Sequence, residues 1–145
     1  MNTDYIIRDY VPADFAEMAE MWKLTGLGNP ARGDGPEVIE KTLKCGGKML
    51  IMTQADTKRV IGCSWLTNDG RRIYLHHFGI HPDFQGRGLS KPLLAESLKF
   101  AKEMKMQIKL EVHRENTTAV NLYKKGGFNY LGDYHVYIVR DIEKI

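Results

Sequence analysis

One stretch limits the fold more than any other. Residues 72–80 (RIYLHHFGI) read as a strand, 81–91 (HPDFQGRGLSK) as a glycine loop, Ser90 to about Lys105 as a long helix, and Gln107–Val112 (QIKLEV) as a further strand. Strand, helix and strand in direct succession make the two strands parallel, because parallel neighbours need a long crossover between them. Leu93, Leu94, Leu98, Ala101 and Met104 share one face of that helix. A helix of this kind buries its stripe against a sheet, so this part of the chain is α/β.

The remaining elements fall around this block. Tyr5–Arg8 reads as a strand. Pro12–Leu24 reads as a helix, with Pro12 in its first turn and Phe15, Met18, Ala19 and Trp22 at helical spacing. The glycine-rich Gly26–Gly35 reads as a loop, and Pro36–Lys44 as a second helix ended by Gly46-Gly47. Lys48–Thr53 and Val60–Thr67 read as strands, and Asn68-Asp69-Gly70 as the tight turn into the strand at 72–80. Thr117–Lys125 reads as a short helix. Phe128–Leu131 and Val136–Arg140 read as a sixth and a seventh strand. The order is β-α-α-β-β-β-α-β-α-β-β, a mixed sheet with helices over its faces. The 145 residues carry no repeat or linker and form a single domain, 1–145.

Several classes are set aside. No apolar run approaches a membrane helix, and Met1-Asn2-Thr3-Asp4 lacks the basic and apolar regions of a signal peptide. Cys45 and Cys63 have no metal-type spacing and give no disulfide framework, so the expected location is cytoplasmic. Arg32-Gly33-Asp34 spells an adhesion tripeptide, which in such a loop is coincidence. Charge is uneven: residues 1–70 hold 8 basic and 10 acidic groups, and 71–145 hold 13 and 8. Without an RNA or DNA motif, the basic half gives no nucleic-acid partner.

The chemistry concentrates in the glycine loop. A helix N-terminus offers unpaired N–H groups and the positive end of a dipole, which suit phosphate. Gly86 and Gly88 allow close backbone approach, and Arg87 and Lys91 add charge. A P-loop would need GxxxxGK[ST], and a dinucleotide loop a third glycine where Lys91 stands; neither is present. Gln85-Gly86-Arg87-Gly88-Leu89-Ser90 instead resembles the Q/R-x-x-G-x-G/A loop of the GNAT superfamily of acyl-CoA N-acyltransferases, with Ser90 at a position usually Gly or Ala. Downstream, Leu110–Asn116 and the Ala119, Leu122, Tyr123, Gly127-Phe128 block resemble the family's last motif in register. That block looks most like the ribosomal-protein N-terminal (RimI-like) branch.

The resemblance implies a GNAT fold and acetyl-CoA as co-substrate. It implies that Gly86, Arg87, Gly88, Leu89, Ser90 and Lys91 hold the pyrophosphate and that Phe78, Gly79 and Ile80 pair with the pantetheine arm. Asn116 would hydrogen-bond that arm, and is equally a helix N-cap. It implies an N-acetyltransferase in which a primary amine attacks the thioester directly, with Tyr123 as acid to the leaving thiolate and Glu111 as base. His76, His77 or a water are rivals for the base. As neighbours on a strand, the two histidines should point to opposite faces, so no two-His metal site is expected. Gly79 is expected to be a bulge that splays the strands, or else a close-packing glycine. Asp34, Glu37 and Glu40 border the acceptor side, as attractors of a cationic amine or as a solvated face. The acceptor is a small-molecule or peptide amine, and the chain a monomer or homodimer whose final strand could pair with a second copy. The alternative function is an acyl-CoA-binding regulatory domain without turnover.

Overall fold

The computed structural model describes residues 4–28 and 33–145. The loop residues 29–32, including Arg32 of the adhesion tripeptide, lie outside them. Strand β1 (Tyr5–Asp9) leads through a 3-10 turn at Pro12–Asp14 into helix α1 (Phe15–Thr25). Gly26, at φ 72°, ends α1 in the left-handed conformation that glycine adopts without penalty. Helix α2 (Pro36–Lys44) starts with proline in its first turn, where no N–H is needed. Then follow β2 (Lys48–Gln54), β3 (Val60–Asn68), β4 (Arg72–Leu75) and β5 (Gly79–Ile80). Helix α3 (Ser90–Met104), β6 (Gln107–Leu110) and α4 (Thr117–Lys125) complete the framework.

Asp14 fixes the entry to α1. Its carboxylate accepts from Arg8 Nη1 and Nη2, both at 2.8 Å, and from the Val11 N–H at 2.8 Å. The Arg8 hydrogen bond is the chief cause that holds the Asp14 pKa below its ordinary value. Asp14→Asn should cost about 1.5–3 kcal/mol in urea unfolding at pH 7, the range for hydrogen bonds to charged groups. A lowered folded pKa stabilises above the unfolded value of 3.8 and is lost as pH falls through the folded one. The gap between variant and parent should therefore close only in strong acid.

The sheet runs β1-β2-β3-β4-β6, with β5 also paired to β3. Every pair is antiparallel except β4 and β6, which are parallel from Arg72↔Gln107 to Leu75↔Leu110. The mixed sheet expected from the sequence is thus present. One face packs under α3 and α4 through Leu66, Ile73, Leu75, Leu93, Leu94 and Tyr123. The other packs under α1 and α2 through Met18, Trp22, Ile39, Ile51, Cys63 and Trp65. A buried Ser64–Ser97 hydrogen bond of 2.6 Å pins α3 to β3.

Three expectations are corrected. The strand at 72–80 is two strands, broken at His76–Phe78, where the chain leaves the β4–β6 ladder. Gly79 is not the bulge. It pairs with Cys63 in the ladder, and a Cβ there would meet Leu27 Cδ1 at 2.7 Å, so it is the close-packing glycine. Residues 128–131 and 136–140 form no strands, leaving a six-stranded sheet rather than about seven strands. A strand exists only against an edge. After Phe128 docks on Tyr123 (ring centroids 5.6 Å apart), the chain runs exposed and does not join β6.

Candidate active site

The break at residues 76–78 creates the site. Up to Leu75 and Leu110, β4 and β6 are hydrogen-bonded neighbours; beyond them β5 follows β3 while β6 ends. Two adjacent strands thus part like a V. The His81 N–H donates to Ile61 O at 2.8 Å, toward β3. Backbone direction alternates along a strand, so the backbone groups of Phe78 and Ile80 face the opposite, open edge. Ile80 O there accepts from Gln85 Nε2 at 2.9 Å, which ties the following loop to the strand end.

The loop itself is built for an anion. Gly86 and Gly88 take φ +78° and +75°, and a Cβ on either would meet nothing within 4 Å. Both are left-handed positions that glycine fills without strain, and both face open space. Their N–H groups make no hydrogen bond to a described residue. Leu89 is buried, while Ser90 opens α3 and Lys91 is exposed in its first turn. The Arg87 guanidinium lies 4.8 Å from the centroid of the Phe84 ring and donates to Asp83 O at 3.1 Å. Arg59 braces the turn before the loop, with Nη2 3.1 Å from His81 Nε2 and 3.3 Å from Asp83 Oδ2. Residue type, dihedrals and free donors all fit a diphosphate at this loop.

Tyr123 stands beside the V from the α3 side. It is 9% exposed, with its ring 5.9 Å from Phe78 and 5.6 Å from Phe128. Its hydroxyl makes no hydrogen bond to a described residue. Burial pushes its pKa up to about 12, so at neutral pH it carries its proton. Asn116 caps α4 by accepting from the Ala119 N–H at 3.3 Å, which confirms the capping role.

On the α1–α2 side, His76 stacks on Tyr74 at 4.4 Å and meets Thr67 Oγ1 through Nε2 at 2.8 Å. Glu111 sits just past the end of β6, one step beyond the Leu75↔Leu110 pair, and so level with His76. Burial first, and then the adjacent Glu111 carboxylate as acceptor, hold the Tyr74 proton well above the ordinary phenol range. The two histidines do not diverge cleanly. Both rings lie near Trp65, at 5.8 Å for His76 and 5.1 Å for His77, because strand alternation fails where the strand breaks. His77 also packs on Trp22 at 4.7 Å. Its Nε2 lies 3.1 Å from Asp34 Oδ2, an ion-pair distance reached off the hydrogen-bond direction, and is otherwise buried. Asp34 is therefore part of a buried cluster, while Glu37 is solvated. Among the described residues, no three His, Cys, Asp or Glu side chains could together hold a metal ion.

Sequence reasoning missed Tyr74 and the Asp34–His77 contact. Tyr74 was open to inference once Glu111 was placed, since β4 and β6 run parallel. Asp34 reaches His77 from a loop, and nothing local in the sequence signals that. Burial first, with His77 adding to it, lowers the His76 pKa to about 4 from 6.5. A histidine kept neutral by the fold costs stability as pH falls below its unfolded value, until its folded value is passed. Unfolding free energy should therefore decline from about pH 6.5 toward pH 4, and His76→Gln should flatten that decline in a urea–pH series.

Comparison with known proteins decides what this scaffold is. The sequence pattern of the acetyltransferase (GNAT) family matches residues 16–128. The chain belongs to the GNAT family of acetyltransferases. Its GNAT relatives include an acetyltransferase of Photorhabdus laumondii, 33% identical over 90 residues that make up 61% of each chain. Another, from Yersinia enterocolitica, is 26% identical over 121 residues, covering 82% of this chain and 84% of that one. The GNAT fold itself recurs in an acetyltransferase crystal structure from Streptococcus agalactiae. That one has a TM-score of 0.78 at 20% identity, covering 93% of this chain and 91% of that one. The ribosomal-protein-S18-alanine N-acetyltransferase of Escherichia coli has a TM-score of 0.73 at 18% identity, over 87% and 78% of the two chains. At such identity the likeness is one of fold. No helix among the described residues of this GNAT chain is long and apolar enough to cross a membrane.

Proposed function

We propose that this chain is an N-acetyltransferase that moves acetyl from acetyl-CoA to a primary amine by direct attack in a ternary complex. The observation that carries the reading is the continuity of three features: an anion-ready loop, an open strand edge at Phe78–Ile80, and a protonated Tyr123 beside that edge. Acetyl-CoA supplies the activated thioester. The loop from Gly86 to Lys91 binds its diphosphate, and the open edge of β5 orients its arm, with the Asn116 side-chain amide on the far side of the V. The Ile80 N–H lies on that edge, available to an oxyanion. Tyr123 gives a proton or hydrogen bond to the departing sulfur.

The incoming amine must lose a proton, since a lysine-type amine has a reference pKa of about 10.4. Glu111 is the base in this reading, next to the mouth of the V and oriented by Tyr74. His76 is the lesser candidate on geometry, with its Nε2 already engaged by Thr67 Oγ1 and its ring stacked on Tyr74. His77 is enclosed by Trp22, Trp65 and Asp34 and serves to shape the acceptor wall. The acceptor is a small-molecule, peptide or protein amine; the likeness of residues 110–128 to the ribosomal-protein branch favours a peptide N-terminus. Glu111→Gln should lower kcat about 100-fold at pH 7, with the deficit shrinking as rising pH deprotonates the amine unaided. Initial-rate lines that intersect when acetyl-CoA and amine are varied support the ternary complex. Parallel lines with a labelled acetyl-enzyme would refute it.

A further inference from the structure

Beside the V, part of one sheet face is left uncovered. α1 and α2 pack over β2 and β3. Burial alternates along β4: Ile73 and Leu75 are buried on the α3 side, while Arg72 and Tyr74 lie on the opposite face and are only half-buried. β6 repeats the pattern, with Ile108 and Leu110 on the α3 side and Gln107 and Lys109 exposed on the other. The parallel register sets Arg72 beside Gln107 and Tyr74 beside Lys109. Glu111, also exposed, follows at the next alternate position. The result is a short strip that starts at the mouth of the V. Glu111 comes first, beside the stacked rings of His76 and Tyr74; Lys109 is next, and Arg72 ends it. Neither cation makes an ion pair with a described residue. Arg72 stands in the field of Asp69 in the β3–β4 turn, so Lys109 is the less compensated charge.

Resting on the acetyl-transfer reading, we propose that this strip selects the acceptor: a peptide whose free N-terminus is followed within two residues by an acidic side chain. Residues two apart on a strand stand about 6–7 Å apart, and so do the first and third residues of an extended peptide. A peptide amine held at Glu111 and a chain laid along the strip therefore bring the third residue over Lys109. The strip reads carboxylate then ammonium, and the peptide reads ammonium then carboxylate, so the two are complementary in order as well as in sign. A lysine in the peptide at that place would meet Lys109 as a like charge. The flat rings of His76 and Tyr74 lie between the two charges and give the intervening peptide an apolar rest.

Initial rates on two peptides that differ only at residues 2 and 3, Glu-Glu against Lys-Lys, test it at low ionic strength. The readout is the ratio of their kcat/KM values in the parent, in Lys109→Glu and in Lys99→Glu, a control of equal net charge on α3 across the sheet. The parent should prefer the acidic peptide by about threefold or more, the scale of exposed charge contacts. Lys109→Glu should reverse the preference, a swing of about tenfold between the two enzymes, and Lys99→Glu should keep the parent ratio. The amine pKa of each peptide cancels in that comparison. If no amine is turned over, the same peptides with a C-terminal fluorophore give Kd values by anisotropy in the presence of acetyl-CoA. An acidic preference there that Lys109→Glu abolishes supports the strip although acetyl transfer fails. Turnover with one and the same ratio in parent and Lys109→Glu overturns the proposal and leaves acetyl transfer standing. So does a parent preference for the lysine peptide, or turnover confined to small amines. Kd ratios that do not differ between the two proteins overturn it as well.

Discussion

Tyr123→Phe should lower kcat about 100-fold, the lower end of what a positioned general acid supplies, with little change in the KM for acetyl-CoA. The substitution removes one oxygen. The ring stays between Phe78 and Phe128, so the apolar contact that seats α4 on the sheet is kept. The hydroxyl has no hydrogen bond to a described residue to lose, so folded stability should hardly move. Loss of rate without loss of stability or cofactor affinity separates a proton donor from a packing residue. An unchanged kcat would make Tyr123 a core side chain and leave the thiolate without a protein acid.

Gly86→Val should weaken acetyl-CoA binding about tenfold or more, read as a Kd by calorimetry; tenfold corresponds to about 1.4 kcal/mol. At φ +78° a residue with a Cβ costs roughly 1–2 kcal/mol, and a β-branched one is the least tolerated. A Cβ at Gly86 meets nothing within 4 Å, so none of the effect comes from a clash inside the protein. The added methyls instead stand where an anion would approach the backbone. Gly70→Val is the control. Gly70 has φ +86° and equally open surroundings, but it lies in the turn between β3 and β4. It should show a similar loss of stability and an unchanged Kd. Equal Kd values for both variants and parent would remove the loop from the binding site.

The parts of the fold that were legible are those set by local chemistry. α2 and α4 have the bounds read from their apolar spacing, Pro36 and Asn116, and α3 differs by one residue at its end. The glycine loop was legible because positive φ at Gly86 and Gly88 is a property of glycine itself. The break at His76–Phe78 was not, because RIYLHHFGI is a good strand by composition and parts only where β6 ends beside it. Asp34 against His77 was hidden for the same reason: the contact is made by tertiary placement of a loop. Phe128–Leu131 and Val136–Arg140 have strand sequences but join no edge of the sheet, so the sequence reports their propensity and not their pairing.

The most direct measurement is release of free thiol from acetyl-CoA across a panel of amines, with mass-spectrometric detection of the acetylated acceptor. The panel spans polyamines, amino acids, aminoglycosides and peptides with free N-termini. The expected result is steady, amine-dependent release matched one for one by N-acetyl product, and its collapse in Tyr123→Phe. Tight acetyl-CoA binding with no turnover on any amine would contradict it and make the chain an acyl-CoA-binding regulatory domain.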